Sequence, residues 1–271
     1  MSKGFKLLRL EYIFSVLIPC LLCIYLNGYD IVSQIWILSG FVFYAITGNT
    51  LNDVIDMTDP NEKETLERVK GYSRKEIAVL AIASFLLGTM CFINDILVRP
   101  ILGVYLIIIV IMVIFYCLFK KLVIINHIIL GVSHIIMPYF MIKINAEDVY
   151  MKILPNIELN ESLILAAITA VAFTGQMVHE MIDGDSLAKL EPRKSQLVIW
   201  IACIISLLIA IISFIITRYW VFIPIVFFPI GIMYIYRKPK TNLLGRRSLK
   251  DTGILLGNLM LAYLLILIIA P

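Results

Sequence analysis

Asn52-Asp53-Val54-Ile55-Asp56-Met57-Thr58-Asp59 follows directly on the apolar stretch Phe41–Leu51. A second acidic cluster, His179-Glu180-Met181-Ile182-Asp183-Gly184-Asp185, closes another apolar segment. A charge at membrane depth costs roughly 2.5–3.5 kcal/mol on insertion scales. Two such clusters therefore require a counter-charge, and a hard divalent cation with oxygen ligands supplies it while holding a phosphate-bearing substrate. On an ideal helix Asn52, Asp56 and Asp59 fall within about 60° of one another, and Asp53 lies roughly 100° away on their flank. This polar stripe offers two carboxylates and an amide oxygen to one ion. Glu180 and Asp183, three residues apart, also share a face. Gly184 permits a break that turns Asp185 back toward them.

The elements that must position these groups are membrane helices. The chain is 61% hydrophobic, with a mean hydropathy of +0.96, well above ordinary globular usage. About 20 apolar residues cross a bilayer as a helix. On that measure the sequence holds about nine spans, at roughly 7–27, 31–51, 76–94, 99–119, 122–142, 162–179, 196–217, 219–236 and 252–270. Pro19 and Pro138 fall inside spans, where neighbouring helices can satisfy the freed carbonyls. The expectation is one all-α transmembrane domain over residues 1–271, with the first span retained rather than cleaved. With the N-terminus inside, 19 of the 23 Lys and Arg lie on the cytoplasmic side, leaving only Arg99, Lys143, Lys152 and Arg218 outside. The positive-inside rule thus orients an integral, multi-pass protein with both acid clusters facing the cytoplasm. The net charge of +4 describes a basic inner face suited to anionic lipid heads or diphosphates. No soluble basic domain exists to bind nucleic acid. Cys20 and Cys23 are spaced C-x-x-C, but without a second pair they read as small apolar residues on one helix face. Gly253 and Gly257 read as a close-packing G-x-x-x-G. His127 and His134, seven apart, are expected on one face of the fifth span as packing residues or as groups lining an acceptor's entry.

The N-D-x-x-D of Asn52–Asp56 resembles the first signature of the UbiA superfamily of intramembrane prenyltransferases. Arg68 and Lys70-Gly71-Tyr72-Ser73, followed by a new apolar helix near Lys75, are similar to the loop that follows it. Two features depart from the family pattern: the third acid comes one residue early, at Asp59, and the usual Arg-Pro pair is absent. Gln176, His179-Glu180 and Asp183 resemble an H-E-x-x-D variant of the second signature. Tyr116-Cys117-Leu118-Phe119-Lys120-Lys121 resembles a Y-x-x-x-K/R element, with Asn126 echoing a downstream Asn.

The resemblance implies nine helices around a central cavity open toward the cytoplasm and to lipid. It implies transfer of a prenyl group from a polyprenyl diphosphate to an aromatic or lipid acceptor, with Mg²⁺ as cofactor. By the same resemblance Asn52, Asp56, Asp59, Glu180, Asp183 and Asp185 form the metal set. Asp56, Asp183 and Asp53 carry catalysis, and Arg68, Lys70, Tyr116, Lys120 and Lys121 bind the diphosphate. A terpene cyclase on the same scaffold is the nearest alternative, since internal capture of the allylic cation needs no acceptor. An ion-coupled transporter is the rival from another class, but it would carry its acids in mid-span rather than at shared helix ends.

Overall fold

The computed structural model describes residues 3–60, 62–118, 123–147, 153–183, 186–238 and 243–270. Among these residues every regular element is helical. The α-helices are α1 (Phe14–Asn27), α2 (Ile35–Asp56), α3 (Lys63–Arg68), α4 (Arg74–Val98), α5 (Pro100–Leu118), α6 (Val123–Gly131), α7 (Met137–Ala146), α8 (Leu159–Asp183), α9 (Pro192–Thr217), α10 (Phe227–Ile235) and α11 (Leu243–Ile269). Short 3₁₀ turns cover Lys3–Leu8, Leu10–Tyr12, Val32–Gln34, Ser186–Lys189 and Trp220–Val226. A π turn, Val132–Ile136, joins α6 to α7.

Each of the nine expected segments contains helix, yet the count of nine spans is not met. Among the described residues six helices are long and apolar enough to cross a membrane, or seven if Phe5–Tyr12 and Phe14–Asn27, bent by 42°, form one span. α2 has the length but is diluted by Ser39, Thr47, Asn49, Thr50 and Asn52. Trp220–Ile235 is apolar but short.

The chain divides into two compact units. One comprises Met1–Lys120, Val132–Pro155 and Leu261–Pro271. In it α2 packs along α4, and α1 along α7. Without a hydrophobic drive between lipid-embedded helices, close approach depends on small residues. A Cβ on Gly40 would lie 2.5 Å from the Phe92 ring, and one on Gly88 would lie 3.2 Å from Phe43 Cβ and 3.3 Å from the Gly40 carbonyl. Phe41 meets Phe92 edge-on at 5.2 Å, Tyr44 stacks on Phe92 at 5.4 Å, and the Tyr44 hydroxyl shares a 2.9 Å hydrogen bond with Thr89. The glycine seam is therefore Gly40 and Gly88. In α11 a Cβ on Gly253 would meet nothing within 4 Å, whereas Gly257 is buried. At the far end of α1, Lys143 is buried and donates to Asn27 Oδ1 at 3.0 Å, with Glu147 at 3.7 Å completing a charge pair.

The other unit comprises Lys121–Gly131 and Asn156–Met260. Here α8 packs against α9 through hydroxyls that satisfy each other and the backbone. Thr174 and Ser206 share a 2.7 Å hydrogen bond, and Ser213 donates to the Leu163 carbonyl at 2.9 Å. Below them Met177, Met181, Ile199, Cys203, Ile232 and Tyr236 form a buried cluster.

His127 and His134, expected on one face of a single span, lie on two elements: His127 in α6 and His134 in the π turn. His127 stacks near Phe173 at 4.9 Å in one unit, whereas His134 Nδ1 shares a 2.8 Å hydrogen bond with Ser133 in the other.

Candidate active site

The last turn of α2 carries the first acid cluster. Asn52 Nδ2 donates to Asp56 Oδ2 at 2.8 Å across one helical turn. Asp56 is buried, and Asn52 Oδ1 is a buried acceptor that receives no hydrogen bond. An acceptor in that condition calls for a partner. Set one turn from a buried carboxylate, it makes a pair of hard oxygen donors that suits a small divalent cation.

Asp53, on the flank of the stripe, is fully buried and occupied. Arg68, at the C-terminal end of α3, donates to it twice: Nε to Oδ2 at 3.1 Å and Nη2 to Oδ1 at 2.6 Å. Arg9 Nη1 lies 3.6 Å from the same Oδ1. Burial works against the charged form of Arg68, but the hydrogen bonds and charge of Asp53 outweigh it and hold the guanidinium pKa above its ordinary value. Asp53 thus fixes the arginine expected to meet the diphosphate.

The α3–α4 connection is built to hold Arg68 in place. Val69 is buried with Leu7 and Ile77. Gly71, at φ +97°, takes a backbone conformation that L side chains rarely adopt. Ser73 then starts α4 with a capping box: its side chain accepts from Glu76 N at 3.3 Å, and its own N–H donates to Glu76 Oε2 at 2.6 Å.

α2 ends at Asp56, so Asp59 sits beyond the helix, exposed, and the ideal-helix alignment with Asn52 does not carry through to it. Lys70 is exposed beside Gly71, and Tyr116 is half-buried on α5. Glu180 and Asp183 stand in the last turn of α8. Asp185, Lys120 and Lys121 lie outside the described residues.

Sequence reasoning undervalued Gln176. Its Oε1 is, like Asn52 Oδ1, a buried amide oxygen with no hydrogen-bond partner. The signal was present in the spacing. Gln176, Glu180 and Asp183 repeat the interval of Asn52, Asp56 and Asp59: an amide, then acids four and seven residues on. Among the described residues no group of three or more His, Cys, Asp or Glu could hold a metal ion.

The UbiA prenyltransferase family model matches residues 16–247. The chain belongs to this family. A solved structure described as digeranylgeranylglyceryl phosphate synthase in membranes matches this prenyltransferase with a TM-score of 0.60 at 13% identity, covering 100% of both chains. At that identity the likeness concerns the fold. No curated protein sequence matches.

Proposed function

We propose that this prenyltransferase moves a prenyl group from a polyprenyl diphosphate to an aromatic or lipid acceptor at the cytoplasmic side of the membrane, with Mg²⁺ as cofactor. The observation that carries the reading is the pair of orphaned amide oxygens, Asn52 Oδ1 and Gln176 Oε1. Each stands one helical turn before a carboxylate. In this reading Asn52 and Asp56 from one segment, and Gln176, Glu180 and Asp183 from the other, hold the metal, with Asp59 and Asp185 in support. Bound there, Mg²⁺ supplies Lewis-acid stabilisation of the leaving diphosphate.

The chain's own groups do the rest. Arg68, held beside the cluster by Asp53 when no diphosphate is bound, turns its planar fork to a phosphate oxygen. Lys70, Lys120 and Lys121 add charge around the diphosphate, and Tyr116 supplies a hydroxyl donor. As the allylic C–O bond breaks, its electron pair leaves with the diphosphate, and these cations stabilise the charge that develops. An apolar surround keeps water from the prenyl cation, so the acceptor's nucleophilic atom attacks it and then releases its proton. A bilayer site fits because donor and product are both lipids.

Incubating membranes that contain the chain with labelled prenyl diphosphates, and identifying the lipid product, tests the reading. A prenylated acceptor formed only with Mg²⁺ is expected. A free cyclic hydrocarbon or alcohol, formed with no acceptor present, would replace the transferase by a cyclase.

A further inference from the structure

Two arginines share one buried carboxylate at the inner end of α2. Arg68 occupies both oxygens of Asp53 at hydrogen-bond distance. Arg9 stands at 3.6 Å from Oδ1, close enough to attract but too far to donate. Arg9 is itself 8% exposed, and its Nε has no hydrogen-bond partner. Its backbone is left-handed, φ 47° and ψ 44°, at the junction of the two 3₁₀ turns Lys3–Leu8 and Leu10–Tyr12. A non-glycine residue rarely holds that conformation unless its surroundings demand it. Here the left-handed turn goes with a side chain that reaches Asp53, a Tyr12 ring 4.6 Å under its guanidinium, and Leu7 in the cluster with Val69 and Ile77. The N-terminal segment is thereby strapped across the loop that carries Arg68.

This arrangement answers a difficulty in the proposed reaction. If Arg68 turns from Asp53 to a diphosphate, it leaves a fully buried carboxylate without a partner, which is strongly unfavourable. We infer that Arg9 is the reserve counter-charge of Asp53: it moves onto the carboxylate when Arg68 is drawn away, so that Arg68 binds the diphosphate without stranding a buried charge. Arg9 is in this sense a positioning residue for Arg68, acting through Asp53. The inference rests on the diphosphate reading of the site. It adds that the N-terminal strap and diphosphate binding are coupled.

Two measurements on the purified full-length chain in detergent test it. The first needs no ligand. Arg9→Gln and Arg68→Gln should each lower the thermal midpoint modestly, because either arginine can serve Asp53. The double variant should lose far more than the sum, and adding Asp53→Asn should recover most of that excess. Additive losses would overturn the exchange. The second is calorimetric titration with inorganic pyrophosphate and Mg²⁺. Arg9→Gln should weaken binding about tenfold although Arg68 is intact, and Arg9→Lys, which keeps the charge, should restore most of it. Unchanged affinity in Arg9→Gln, or equal weakening in both variants, would overturn the inference. A wild-type chain that does not bind Mg²⁺-pyrophosphate would overturn the diphosphate reading instead, a result distinct from additive thermal losses.

Discussion

Adjacent carboxylates in one helical turn do different work. Asp53 is enclosed by two arginines, whereas Asp56 accepts from the Asn52 amide one turn away. The two therefore separate on mutation. Asp53→Asn leaves buried guanidinium groups facing a neutral amide and should cost about 3–5 kcal/mol of stability, the usual loss on breaking a buried pair. Denaturant titration in micelles measures it. Asp56→Asn keeps the side-chain shape and removes the charge proposed to hold the metal. It should leave the denaturation midpoint unchanged while reducing turnover by at least about a hundredfold, a split between stability and rate that marks a group acting on the reaction. Equal destabilisation by the two variants would contradict this division. The carboxylate stripe was legible in the sequence because helical period alone puts Asn52 and Asp56 together. The Arg9–Asp53 pair was not, since 44 positions separate its members and only a left-handed turn at Arg9 joins them. Gln176 was legible only by comparing intervals between the two segments, because an amide lacks the charge that draws attention to an intramembrane acid.

At the level of elements, each of the nine segments expected from hydropathy contains helix, but the polar helix α3 and the glycine seam between α2 and α4 had no such signal. A G-x-x-x-G pattern in α11 is visible in sequence, whereas Gly40 and Gly88 lie on different helices and become a motif only when α2 and α4 meet. Gly40→Leu should destabilise by about 1–3 kcal/mol, as overpacking does, because the new side chain enters the Phe92 ring. Gly253→Ala should be neutral or stabilising by up to about 1 kcal/mol, since it meets open space and improves helix propensity. Thermal scanning of both variants checks the pair, and a larger loss at Gly253 than at Gly40 would reverse the assignment. The count of nine spans is not confirmed for a related reason. α2 looks like a span by length and position, but the hydroxyls and amides that fit it for chemistry lower its hydropathy. The π turn at Val132–Ile136, which takes His134 out of α6, had no sequence signal at all.

For the whole molecule, the distribution of Lys and Arg predicts which membrane face the acid clusters share. In a cysteine-free background Glu158→Cys should react with an impermeant maleimide in intact cells. Arg237→Cys should react only after permeabilisation. The reverse pattern would invert the topology. The family and the fold follow from the match over residues 16–247 and from the full-length structural likeness. The chemistry depends on whether the ends of α2 and α8, each carrying an amide with an acid four residues on, serve one metal centre. Paramagnetic resonance of Mn²⁺, titrated into the purified chain with inorganic pyrophosphate, measures that most directly. Pyrophosphate-dependent Mn²⁺ binding should be present in the wild type and lost in both Asp56→Asn and Asp183→Asn. Retention of wild-type Mn²⁺ binding in either variant would contradict a centre shared by the two helices.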